Sequence, residues 1–140
     1  YGSSGVLGTK SGGPMAAAWA VMNYLGDEGY LRLTESARLT TRQLAQAIQS
    51  IDGLHLRAAP DSTLLSFGAQ GFDVFAVADE LALHGWYVDR QAPPDSLHCT
   101  VNAVHHHRVI EEFIVDLSHA VTKVRDAGST GTVGAYGTIE

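Results

Sequence analysis

The sequence predicts an α+β fold. Two helical segments lead into a two-layer unit of order β-β-α-β-β-α, with helices covering one face of a mostly antiparallel sheet. Three observations carry this. Apolar residues recur at helical spacing up to Ile51 and again over 106–125. Between these stretches, from Gly53, the period drops to two in several short runs. Clusters of Gly, Pro, Asp and Ser separate those runs, as they do in sheets built from close turns.

The opening stretch Tyr1–Gly13, Y-G-S-S-G-V-L-G-T-K-S-G-G, holds five glycines, four aliphatic hydroxyls and Lys10. A glycine-rich loop feeding a helix N-terminus suits an anion, because free first-turn N–H groups and the helix dipole both favour negative charge. The segment lacks the G-x-x-x-x-G-K-[ST] spacing, and no strand pattern precedes it. Its residues alone leave two readings open: an anion loop, or a flexible arm of turn residues.

Pro14–Leu25 is the first predicted helix. Pro14 suits the first helical position, Ser11 or Gly13 can cap it, and its alanines are strong helix formers. It is apolar nearly all round, so it is expected to be buried on most sides, against another domain or another subunit. Gly26-Asp27-Glu28-Gly29 breaks it, with Asp27 and Glu28 read as caps of the next helix. That helix runs to Asp52-Gly53, with Tyr30, Leu33, Ala37, Leu44, Ile48 and Ile51 along its apolar stripe.

Leu54–Arg57 alternates as a strand, Ala59–Ser62 is a turn, and Thr63–Phe67 is the second strand. After the loop Gly68–Gly71, Asp73 caps a helix whose Val74, Phe75, Val77, Ala78, Leu81 and Ala82 point inward, closed by Gly85. Trp86-Tyr87-Val88 begins the third strand, and Gln91–Asp95 is an irregular link. Ser96–Val101 is the fourth strand, with Leu97, Cys99 and Val101 on one face and Ser96, His98 and Thr100 on the other. The last helix covers about 106–125, with Ile110, Phe113, Leu117, Val121 and Val124 as its stripe. Asp126–Glu140, rich in Gly, Ser and Thr, reads as a mobile tail.

A chain of 140 residues with 45% apolar content has enough material for one core. The net charge is -6, and the seven arginines and two lysines form no basic stripe, which argues against nucleic acid as a partner. One cysteine excludes an internal disulfide framework. No apolar run reaches membrane-spanning length and no signal pattern opens the chain, so a cytoplasmic location is expected. The first residue is Tyr, which suggests a piece of something longer.

Few residues invite chemistry. His105-His106-His107 cannot converge on one metal from a regular helix, since neighbours point about 100° apart, so a solvated helix junction is expected rather than zinc. Cys99 alternates with Leu97 and Val101 and reads as a core thiol. Ser3 and Ser4 have no neighbouring base, and Trp19 and Met22 read as packing residues. His98 leaves two readings: a hydrogen-bonded histidine under a helix, or a substrate or phosphate contact on the exposed sheet face.

Several motifs nevertheless stand together in order. Tyr1–Gly13, Ala17-Ala18-Trp19-Ala20 and Gly26-Asp27-Glu28-Gly29-Tyr30 come first. Phe72-Asp73-Val74-Phe75, Gly85-Trp86, Pro93-Pro94, Ser96-Leu97-His98 and Gly134-Ala135-Tyr136-Gly137 follow. This series resembles the C-terminal region of the sphingosine-1-phosphate lyase family, fold type I pyridoxal-phosphate enzymes of the group II decarboxylase branch.

The resemblance implies that 1–26 ends a cofactor-binding large domain, 27–52 is a connecting helix, 53–125 is a C-terminal small domain and 126–140 is a Gly-rich tail. It implies a homodimer that binds pyridoxal 5'-phosphate and cleaves a phosphorylated sphingoid base into a fatty aldehyde and phosphoethanolamine. Gly8, Thr9, Lys10, Ser11 and Gly12 match the family's G-[ST]-R-P-G loop, with Lys10 in place of Arg and Ser11 in place of Pro. The match implies contact with a phosphate, though Lys10 lacks bidentate geometry. His98 falls at the family's Ser-[Ile/Leu]-His position and is the implied substrate contact.

The family's cofactor-anchoring lysine follows a histidine upstream of this region; neither Lys10 nor Lys123 does so. No residue of this chain is therefore expected to be catalytic, and the chain is expected to be inactive alone. Related amino-acid decarboxylases use a small-domain arginine to hold the substrate carboxylate. Ser96–Val101 has none, the nearest being Arg90 and Arg108, which favours the lyase. A related decarboxylase and a non-catalytic α+β interaction domain stay open as alternatives.

Overall fold

The computed structural model describes residues 10–133 and 136–137. Gly8 and Thr9 of the anion loop lie outside them. Two compact units meet in sequence between Arg32 and Leu33. Helix α1, Gly12–Ser50, runs through both, and Gly26 interrupts it with φ 58 and ψ -176. Such a positive φ is open to glycine at little cost, so the break predicted at Gly26 sits where a side chain would resist it.

In the first unit the helix is one layer with no second apolar layer of its own. Met15, Trp19, Met22 and Tyr24 are all exposed, Trp19 at 65%. The burial expected for Pro14–Leu25 is therefore not found among the described residues. A lone helix cannot cover an apolar surface that runs nearly all round it.

The second unit holds the core. Ala37, Leu44, Ala45 and Ile48 are the buried apolar positions of α1 there, and buried Thr41 donates its hydroxyl to the Ala37 carbonyl at 2.8 Å. The strands are β1 (Leu54–Leu56), β2 (Leu64–Ala69), β3 (Asp89–Ala92), β4 (Ser96–Thr100) and β5 (Tyr136–Gly137), in the order β1-β2-β4-β3-β5. The first four pair antiparallel, and β5 adds in parallel to β3. Helices α2 (Val74–Leu83) and α3 (His107–Ala127) complete the α+β unit. Phe67, Leu97, Leu81, Val77, Leu117, Val121 and Val124 are its most deeply buried side chains. Asp73 caps α2 by accepting the Phe75 N–H at 2.8 Å.

Two expectations need correction. The third strand is Asp89–Ala92, not a run begun by Trp86-Tyr87-Val88, and it takes in Gln91 and Ala92 of the predicted link. Trp86 is held by its side chain instead. Its indole N–H donates to Asp116 Oδ2 at 2.7 Å, and its ring meets Phe113 edge-on at 5.3 Å.

The tail is not free either. After Gly128 closes α3 in the left-handed conformation, the Gly131 N–H donates to Asp73 Oδ2 at 2.9 Å. The Thr132 N–H donates to Asp79 Oδ2 at 2.8 Å, and Arg90 Nη1 donates to the Thr132 carbonyl. This strap crosses the first turn of α2 so closely that a Cβ on Gly131 would lie 2.1 Å from the Ala76 nitrogen. Polar anchors and glycine, rather than apolar burial, tie the segment down, so a reading based on hydrophobic periodicity misses it.

Candidate functional site

The alternation of β4 buries Leu97 on one face and turns His98 toward the other. Register then supplies His98 with neighbours that no single strand reveals: Ser66 on β2 and Asp89 on β3 stand directly across from it. His98 Nδ1 lies 3.9 Å from Asp89 Oδ2, with side-chain exposures of 27% and 41%. That distance is too long for a hydrogen bond and short enough for a charge on the imidazole to be felt. Ser66 Oγ, next in the row, bonds Gln91 Oε1 at 3.2 Å.

His98 and Asp89 also line a cavity of about 200 Å³ where β3 begins and β4 ends, beside the N-terminal half of α3. Trp86, Val88, Val101, Ile110 and Phe113 form apolar wall, and His105 adds a second imidazole. His105 Nδ1 accepts the Asn102 N–H at 3.1 Å, which assigns the ring proton to Nε2. Burial, and then the Asp89 charge, push the Cys99 thiol up to about 12. The thiol stays protonated and unreactive at neutral pH, in keeping with a packing role. Among the described residues, no three His, Cys, Asp or Glu side chains are grouped to hold a metal ion. His106 caps α3 without a side-chain bond.

Sequence reasoning singled out His98 but not Asp89, Trp86 or His105, which line the same cavity. Cross-strand register brings Asp89 opposite His98, and Trp86 and His105 reach the same cavity from the segments before β3 and after β4, so no single strand carried the signal.

Of the anion loop, Lys10 and Ser11 are exposed just ahead of Gly12, the first residue of α1. Lys123 follows Thr122 rather than a histidine and pairs with Glu80 at 2.7 Å. Arg90 is tied down within the chain: Nη2 bonds Asp79 Oδ1 at 2.6 Å, Nη1 bonds the Thr132 carbonyl at 2.8 Å, and its side chain is 19% exposed. Burial works against the Asp79 charge. The Thr132 N–H and the Arg90 guanidinium outweigh it and hold that carboxyl below its usual range. Arg57 donates to the Asp95 carbonyl.

No protein-family model matches the chain. It is 33% identical to the sphingosine-1-phosphate lyase of Arabidopsis thaliana over 89% of its own length and 23% of that protein. The sphingosine-1-phosphate lyase structure from Burkholderia pseudomallei superposes with TM-score 0.81 at 34% identity, over 90% of this chain and 29% of that one. A glutamate decarboxylase of Lactobacillus brevis matches at TM-score 0.79 and 18% identity, over 86% of this chain and 30% of that one. Oryza sativa TDC, solved with PLP and tryptamine, matches at TM-score 0.68 and 12% identity, over 75% and 26%. The last two show the fold alone. The chain spans about a quarter of the length of the curated relatives it matches.

Proposed function

We propose, from its homology to sphingosine-1-phosphate lyases, that this chain is the C-terminal portion of a pyridoxal-phosphate-dependent carbon–carbon lyase. The observation that carries this reading is the 34% identity and TM-score of 0.81 to the Burkholderia pseudomallei enzyme across 90% of the chain. The proposed reaction cleaves a phosphorylated sphingoid base into a fatty aldehyde and phosphoethanolamine. Pyridoxal phosphate supplies the electron sink for breaking such a bond, while protein groups orient it.

The described residues do not make a cofactor cradle by themselves. Their lysines are Lys10, exposed before α1, and Lys123, paired with Glu80; neither follows a histidine. The reading therefore assigns the anchoring lysine to a part of the enzyme outside this chain and gives no catalytic step to the residues here. Gly8, Thr9, Lys10, Ser11 and Gly12 form an arm that contacts a phosphate across a homodimer, with Lys10 supplying charge. The exposed Met15, Trp19 and Met22 support a partner surface at the helix that follows. His98 contacts substrate. The segments 1–26, 27–52, 53–125 and 126–140 serve as large-domain end, connecting helix, small domain and tail, and the enzyme works in the cytoplasm.

The state of Arg90 favours a lyase over an amino-acid decarboxylase. An arginine bonded to Asp79 and Thr132 is already committed to contacts within the chain, which weakens it as a holder of a substrate carboxylate. No helix among the described residues is long and apolar enough to cross a membrane. The test is an assay of the full-length gene product on both substrate types. Aldehyde release from a phosphorylated sphingoid base is expected; carbon dioxide release from an amino acid without it would refute the reading.

A further inference from the structure

The cavity beside His98 has a chemical preference of its own. The geometry points to a binding site for a small organic amine, with its ammonium beside the Asp89 carboxylate and His98 and its apolar body against Trp86 and Phe113. This inference stands on the cavity alone and is independent of the lyase reading.

Charge comes first. Asp89 is on the wall, and no lysine or arginine lines the cavity. A negative field inside apolar walls attracts a cation and repels a phosphate or carboxylate.

Shape comes next. Trp86 is fixed by Asp116 at 2.7 Å and by its edge-on contact with Phe113 at 5.3 Å, so an aromatic surface is already in place. His105, its proton assigned to Nε2, offers a donor to any hydroxyl or ether oxygen the ligand carries. The volume of about 200 Å³ is smaller than the roughly 300–1,000 Å³ of pockets for drug-sized molecules. The ligand is therefore limited to one ring or a short chain.

The test uses the whole chain carrying Trp19→Phe, so that Trp86 is its only indole. The Trp86 indole N–H resonance is followed at pH 7 during titration with 2-phenylethylamine, 2-phenylethanol, 3-phenylpropanoate and inorganic phosphate. The amine is expected to shift it saturably, with an affinity at least fivefold tighter than the isosteric alcohol. Neither anion is expected to shift it. Asp89→Asn should bring the amine down to the level of the alcohol while the remaining spectrum stays folded. An unmoved Trp86 resonance, an anion that binds as well as the amine, or an amine-to-alcohol ratio near one would overturn the proposal. The ratio in the Trp19→Phe chain decides the matter even if Asp89→Asn does not fold.

Discussion

The two units use similar residues for opposite ends. The helix from Pro14 to Leu25 is as apolar as any stretch of the chain, yet Trp19 is 65% exposed and Tyr24 is 89% exposed. The helix α3, with far more charge, buries Phe113, Leu117, Val121 and Val124 almost completely. The difference lies in arrangement. In α3 the apolar residues fall on one stripe that a sheet and a second helix can cover. In the first helix they run all round, and the described residues of its own unit offer no second layer to meet them. Apolar content says how much surface needs covering, and periodicity says whether the same unit can cover it.

Substitutions sharpen this contrast, and the largest effect belongs to the core. Phe67→Ala removes a fully buried ring, and denaturant unfolding should show a loss of about 3–5 kcal/mol. The strap comes next. Gly131→Ala pushes a methyl into the backbone of α2, and a loss of about 1–3 kcal/mol is expected in the same measurement. Asp73→Ala removes a cap and one strap anchor together, at about 1 kcal/mol or somewhat more.

Asp79 adds a pH signature. Its carboxyl titrates below its usual range, so its contribution is fully present above about pH 4 and fades as the pH falls through the lower folded value. The urea midpoint should fall less between pH 6 and pH 3 for Asp79→Asn than for the parent chain. The smallest effect is expected from Trp19→Ala, within about 0.5 kcal/mol for the chain alone. A loss as large as that of Phe67→Ala would show that the first helix is covered after all, and the contrast between the units would fall.

Much of this was legible in advance because local chemistry decided it. Asp73 at the start of α2, Gly85 after its end, and the Ile110–Val124 stripe depend on residues close in sequence, and each is found where expected. Where distant groups decide, the sequence misleads. Trp86-Tyr87-Val88 has strong strand propensity, but the bond from Trp86 to Asp116 spans 30 residues and holds it out of the ladder. The strap depends on carboxylates 53 and 58 residues away. The candidate site divides the same way. Alternation placed His98 correctly on the face opposite Leu97, whereas its meeting with Asp89 and Ser66 required the register of three strands. Of the anion loop Gly8–Gly12, Gly8 and Thr9 lie outside the described residues, and Lys10, Ser11 and Gly12 have positions.

The strap also governs how this protein tolerates being shortened. A chain ended after α3 would keep the bond between Asp79 and Arg90 but lose β5, the short strand that covers the outer edge of β3. An open edge is a template for other chains, and edge-to-edge pairing is a route to aggregation. Trimming the glycine-rich end as a dispensable linker is thus expected to yield a sticky protein rather than a tidier one, visible as concentration-dependent light scattering.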